Sequence, residues 1–403
     1  MNNLKPTRFS ARFLRLCLGM ALFATSALAQ SNAPDSQIVH APAVPRDRVR
    51  GPVTDARTPL KGQTRRLGSA AVDLGQVSSS MSSGRMVLWL RRSAEQKAQL
   101  GQYLSQLQNP ASANYRHWMT PAGYGAAYGI SDHDLAAVQQ WLQSNGLKVE
   151  KVSAARNAIQ FSGTAGSLAS AFHTTIHSYN LGQQKHFANT TDPEVPTALS
   201  PVIAGVSPMN DFRPKPLHVL GKAARYDAAS RHVQPAMTGG DSTNGYSFYV
   251  TPADASIIYD TPNKNYNPAA TQTLDGTGVT IGIVGYSALA MADVQNYRTA
   301  FLPAGAASNL PKQILDGATD PGIIDGSVAS EGLLDVEIAG GLAPGAQINY
   351  YYAASTDLSD GLILASLRAL EENTVNILSV SYGQCEADLG TNGNLACDKW
   401  GHQ

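Results

Sequence analysis

The chain has 403 residues, 43% of them hydrophobic, and its 30 basic and 30 acidic side chains balance formally. That length allows two or three packed domains. Zero net charge offers no basic footprint for nucleic acid, and no cluster of Cys and His has metal-ligand spacing.

The N-terminus reads as an export signal over residues 1–29. Lys5, Arg8, Arg12 and Arg15 precede a mostly apolar stretch, Leu16 to Leu28, and Ala27-Leu28-Ala29 has the small-x-small form of a peptidase site before Gln30. The run is too short to span a bilayer comfortably. Removing it leaves 26 basic against 30 acidic residues, about −4. Cys17 leaves with it, so Cys385 and Cys397 remain in a chain bound for an oxidising space. A bridge between them is possible but not proved by the sequence.

Residues 30–84, rich in Ser, Pro, Ala and Arg, are expected to form a flexible leader. Order is expected from Arg85. Met86–Leu90 is an apolar run of strand length. Ser93 caps a helix with Leu100, Leu104 and Leu107 on one face. Ser131 opens a second, ended at Asn145-Gly146. Leu147–Val152 and Arg156–Ser162 read as neighbouring strands, Thr164 starts a short helix, and Thr174–Tyr179 alternates as a strand that pairs with Lys185–Ala188 across Gly182. His173 and His177 fall in or beside this strand pattern and read as structural. The order predicts an antiparallel sheet with helices on one side. Asn189-Thr190-Thr191 matches a glycosylation sequon but reads as a surface turn.

Asp211–Asn244 has no apolar period and reads as an exposed interdomain linker, the kind of segment proteases cut. A different pattern follows. Val279–Val284, Gln313–Leu315, Gln347–Tyr352 and Val375–Val380 are strands alternating with helices at Ala292–Phe301, Ser330–Leu342 and Asp357–Glu372. That alternation predicts a parallel α/β sheet. Gly276 and Gly278 precede their strand rather than follow it, which argues against a dinucleotide fold.

The stretch Ser330–Ala346, SEGLLDVEIAGGLAPGA, carries the chemistry. Four residues advance a helix by about 400°, so Glu331 and Asp335 share a face while Glu337 points elsewhere. Leu334, Ile338 and Leu342 are expected to form the apolar stripe, widened by Leu333 and Val336, with Gly340, Gly341 and Pro344 stopping the helix. Two acids at this spacing titrate as a pair with one pKa raised, which suits a general base and its orienting partner in acid.

Three features resemble the sedolisin family of serine-carboxyl peptidases, which share the subtilisin fold. Val87–Pro214, including YRHWMTPAGYG at Tyr115–Gly125, resembles a pro-kumamolisin-type activation domain. Ser330–Ala346 resembles the helix bearing the family's catalytic Glu and Asp, and NILSVSYG at Asn376–Gly383 resembles the strand bordering its substrate cleft. The resemblance implies an α+β pro-domain, a ferredoxin-like antiparallel sheet with helices, at 85–214. A linker with the processing site would occupy 215–245, and an incomplete α/β subtilisin-like domain with a parallel sheet would occupy 246–403. Glu331 would take the proton from a serine hydroxyl and Asp335 would polarise Glu331. The implied product is a secreted, extracellular or periplasmic zymogen of an acid-active serine endopeptidase, with peptide substrates and its own pro-domain as inhibitor.

The family's Gly-Thr-Ser nucleophile motif and its oxyanion Asp motif do not occur between Gly383 and Gln403, and the family's calcium site has no counterpart in the chain. The sequence is therefore expected to be a truncated precursor, inactive by itself. Ser379 and Ser381 lie outside any such motif. The competing expectation is a non-catalytic binding or inhibitory protein that uses the pro-domain.

Overall fold

The computed structural model describes residues 44–218, 237–241, 245–324 and 326–383. Along them run strands β1 (Arg57–Pro59), β2 (Ala71–Gln76) and β3 (Ser82–Leu90), then helices α1 (Ala94–Gln108), α2 (Pro121–Tyr128) and α3 (Asp132–Ser144). Strands β4 (Lys148–Val152) and β5 (Ala158–Thr164), helix α4 (Ala165–Phe172), and strands β6 (Ile176–Leu181), β7 (Gln184–Asn189), β8 (Glu194–Pro196) and β9 (Ile203–Ser207) complete the first half. The second half opens with β10 (Lys215–Pro216), β11 (Met237–Asp241), β12 (Gly245–Tyr249), α5 (Pro252–Ile258), β13 (Thr280–Gly285) and α6 (Met291–Phe301). It continues through β14 (Lys312–Leu315), α7 (Ser327–Leu342), β15 (Gln347–Tyr352), α8 (Gly361–Glu372), β16 (Ile377–Val380) and β17 (Tyr382–Gly383).

The first half is built on an antiparallel sheet of order β4-β5-β3-β9, with β2-β6-β7 as a second antiparallel sheet. Alternate residues of β3 face opposite ways. Met86, Leu88 and Leu90 pack with Trp141 and Leu142 of α3 and with Leu168 and Phe172 of α4. Val87 and Trp89 point the other way, into a core shared with Leu362, Leu364 and Leu367 of α8. The sheet was expected to carry helices on one side. Both its faces are covered, which is why Met86–Leu90 is apolar without alternation.

Local signals fix the helix starts. Ser93 and Gln96 form a reciprocal capping box at α1, and Thr164 with Ser167 forms another at α4. Helix α2 was not expected, although Thr120 accepts from Gly123 N–H and Pro121 occupies the first turn. Its glycines explain why no apolar period announced it. A Cβ at Gly125 would meet Ala154 O at 2.2 Å, so the helix lies directly on the β4–β5 turn.

The expected flexible leader is ordered from Val44 onward, and the sheet strand starts at Ser82 rather than Arg85. The reason is tertiary. Asp134, fully buried on α3, accepts the backbone N–H groups of Arg48 and Val49 at 2.9 Å, and Asp192 accepts those of Gly62, Gln63 and Thr64 at 2.7–2.9 Å. Val49 and Leu60 are thereby pinned into the core. Charge-assisted bonds to carboxylates replace the apolar periodicity that this stretch lacks.

The second half carries a parallel sheet of order β14-β15-β13-β16. Helix α8 packs on one face, between this sheet and the antiparallel one, and is buried nearly all round. Val294 of α6 and Val336 of α7 cover the other face, against Ile283, Ile348 and Tyr350. The two halves are also joined by ion pairs. Arg85 meets the Asp316 carboxylate at 2.9 Å and its carbonyl at 2.8 Å, and Lys151 pairs with Glu371. No helix among the described residues is long and apolar enough to cross a membrane.

Candidate active site

Helix α7 starts four residues before Glu331 and ends at Leu342, just after Gly340-Gly341 and before Pro344, where the sequence expects it to stop. Those glycines serve close packing. A Cβ at Gly340 would come within 2.6 Å of the Arg298 guanidinium, and one at Gly341 within 2.9 Å of Pro252. Of the expected apolar stripe, Val336 is buried, but Leu334 and Ile338 are 40% and 47% exposed. The buried face is Glu331, Gly332, Val336, Gly340 and Gly341. Large side chains from the sheet and from α6 fill the space, so the helix contributes small residues. Gly332 shows this best, since its Cβ would lie 2.5 Å from the Tyr350 hydroxyl, which donates to Ser287 O at 3.0 Å.

Glu331 is 4% exposed and Asp335 is half-buried, both near the β16–β17 end of the sheet. Burial pushes the Asp335 pKa from 3.8 up to about 6, the Ser381 hydroxyl opposes the rise, and the Glu331 charge adds to it. Its Oδ2 atom is buried with no hydrogen-bond partner among the described residues. Two tyrosines complete the wall: the rings of Tyr286 and Tyr382 meet edge-on at 4.9 Å, and burial raises both phenols.

What the sequence reading missed is His218. Its Nδ1 lies 2.5 Å from Glu331 Oε2, and both side chains are largely buried. The residues leading to it, expected as an exposed linker, enter the site. Lys215 pairs antiparallel with Gly383 and Pro216 with Tyr382. Leu217 lies against Gly383, where a Cβ would come within 2.4 Å of its Cδ1. Arg213 donates to the Thr356 carbonyl beside the N-terminus of α8. A signal was present: residues before proline are held extended, so Arg213-Pro214-Lys215-Pro216 is biased towards an added strand. Further along that linker 237–241 form β11, while 219–236 and 242–244 lie outside the described residues, as do Cys385, Cys397 and the export signal.

Glu337, on the other side of α7, gives a separate test of the local electrostatics. Burial and the Asp293 charge raise its pKa from 4.5 to about 7. A carboxyl with a native pKa above its unfolded value favours the fold when protonated, so this contribution is complete below about pH 4.5 and lost as pH rises to about 7. Glu337→Gln is therefore expected to leave stability unchanged at pH 4.5. At pH 8 the expected gain is about 1 kcal/mol, reduced for the group's partial exposure. Urea denaturation at the two pH values measures this.

Asp47, His133 and Asp134 converge closely enough to hold a metal. However, the Asp134 oxygens already accept from Arg48 and Val49, and a set that includes an imidazole suits calcium poorly.

Residues 69–212 match the family model described as pro-kumamolisin, activation domain. The chain is 27% identical over 344 residues to kumamolisin of Bacillus sp. (strain MN-32), which covers 82% of this chain and 56% of that protein. It is 27% identical over 307 residues to sedolisin of Pseudomonas sp. (strain 101), covering 75% and 48%. To xanthomonalisin of Xanthomonas sp. (strain T-22) it is 26% identical over 306 residues, covering 73% and 35%. The chain thus spans about half the length of the first two relatives. Residues 69–212 thus match a pro-kumamolisin activation domain, and most of the chain is similar to kumamolisin, sedolisin and xanthomonalisin.

Proposed function

We propose that the whole protein is a secreted, acid-active serine endopeptidase made as a zymogen, with Glu331 as general base and Asp335 as its orienting acid. Glu331 would accept the proton of a serine hydroxyl as that oxygen attacks the peptide carbonyl, then return it to the leaving amine. The serine and the oxyanion donor would come from residues other than those described. Below about pH 6 Asp335 holds a proton, so it can donate to Glu331 and keep that carboxylate in position. A histidine base would already be charged in this range. Calcium, which the family pattern implies, enters no step derived from these residues.

The observation that carries the reading is the course of Arg213–His218. Strand addition is a general way to hold a peptide in a cleft. This segment adds to Tyr382–Gly383 and brings His218 onto Glu331, which blocks the base. The pro-segment would therefore be inhibitor and first substrate together. The test is incubation of the full-length protein at pH 4 and at pH 7, with N-terminal sequencing of the products. Cleavage between Pro214 and Tyr246 at pH 4, and none at pH 7, is the expected result. Absence of cleavage at both would overturn the peptidase reading and favour a binding protein.

A further inference from the structure

Arg213 marks a second feature of the cleft. Its guanidinium donates to the carbonyls of Thr356 and Ser359, two oxygens in the loop that leads into α8. Directly behind them is Asp360, a carboxylate only 5% exposed. One of its oxygens accepts from Leu362 N–H at 2.9 Å and caps the helix. Beside it stands the phenol of Tyr286, 7% exposed, whose hydroxyl interacts with the Asp360 carboxylate and favours its charged form. No acid–base partner within ion-pair distance neutralises Asp360 among the described residues, and Arg213 is the cation whose charge acts on it. A buried carboxylate left without a cation is strongly unfavourable. Burial pushes the Asp360 carboxyl up and the Arg213 charge opposes that rise, so a cation held at this point favours the charged form.

We propose that Thr356 O, Ser359 O, Asp360 and Tyr286 form a subsite for an arginine or lysine side chain of a bound peptide. Arg213 fills it in the zymogen, and a basic residue of another peptide fills it once the pro-segment has gone. This rests on the reading of Arg213–His218 as a peptide held in the substrate cleft. Arg213 lies in line with the added strand β10, five residues ahead of His218. At about 3.3 Å per extended residue, the subsite lies about 17 Å along the peptide from Glu331. It would select peptides with a basic residue five positions before the one that faces the acid pair. Both carbonyls are met by one nitrogen, Nη2, so a lysine ammonium could satisfy them as well.

The test uses this chain and does not depend on catalysis. Arg213→Ala is expected to speed amide exchange in the fragments covering 209–218, 354–362 and 378–383 by about tenfold or more, since a charge-assisted hydrogen bond is lost. Adding N-acetyl-arginine amide at about 10 mM should restore protection to the loop fragment covering 354–362, because the vacated subsite that this loop forms then binds the free side chain. N-acetyl-norleucine amide should not. Asp360→Asn keeps the oxygen that caps α8, so the double variant Arg213→Ala/Asp360→Asn should fold yet show no rescue. Unchanged exchange in Arg213→Ala, or equal rescue by the two amides, overturns the subsite. A different failure points elsewhere: unprotected 213–218 and 378–383 in the unaltered protein would overturn the cleft reading itself.

Discussion

Glu331→Gln is expected to slow self-processing of the full-length protein at pH 4 by at least about 10³-fold, the size of effect seen when a general base is removed from a triad. Glutamine has the same shape and keeps an oxygen that can meet His218 Nδ1, so the contact now at 2.5 Å survives in the variant. What disappears is an acceptor basic enough to take the serine proton. Appearance of the cleaved product, followed by mass spectrometry, measures the rate. Near-normal processing would remove Glu331 from the role of base, whatever the fold.

Trp89→Ala is expected to cost about 3–5 kcal/mol, the range for removing a large buried aromatic. Trp89 is fully buried, and it packs in the core made by Val87, Ala158 and Ala204 of the antiparallel sheet with α8 and the parallel sheet. The loss falls on the contact between the two halves. Denaturation followed by fluorescence should show a much lower midpoint, and protease should then reach α8. Leu88→Ala, on the opposite face of the same strand, should weaken the first half while leaving α8 covered. The two variants separate docking of the halves from folding of the first half.

Much of the layering is legible in the sequence, and the exceptions share a cause. The central parallel strands show as largely apolar runs because both faces of the sheet are covered there. Met86–Leu90 shows in the same way, but its second covering layer lies more than 270 residues further along and leaves no mark near the strand. Glu331 and Asp335 are legible as a helical pair. Which face of α7 is inward is not, because glycine and glutamate are buried there while Leu334 and Ile338 are exposed. Hydrophobic periodicity assumes that apolar residues point inward, and a helix packed against Tyr350 and Arg298 has no room for them. His218 escapes because its burial depends on a partner 113 residues away. Only the prolines before it hint at an extended course.

Helix α8 is covered on both sides, by one sheet that belongs to each half. Severing the chain after His218 would not by itself remove that cover. The excised N-terminal piece would remain attached through Val87, Trp89 and the Arg85–Asp316 pair, and its departure would bare a greasy cylinder to water. If the whole protein is the zymogen proposed above, its maturation would be paced by removal of the bound remnant rather than by the first cut.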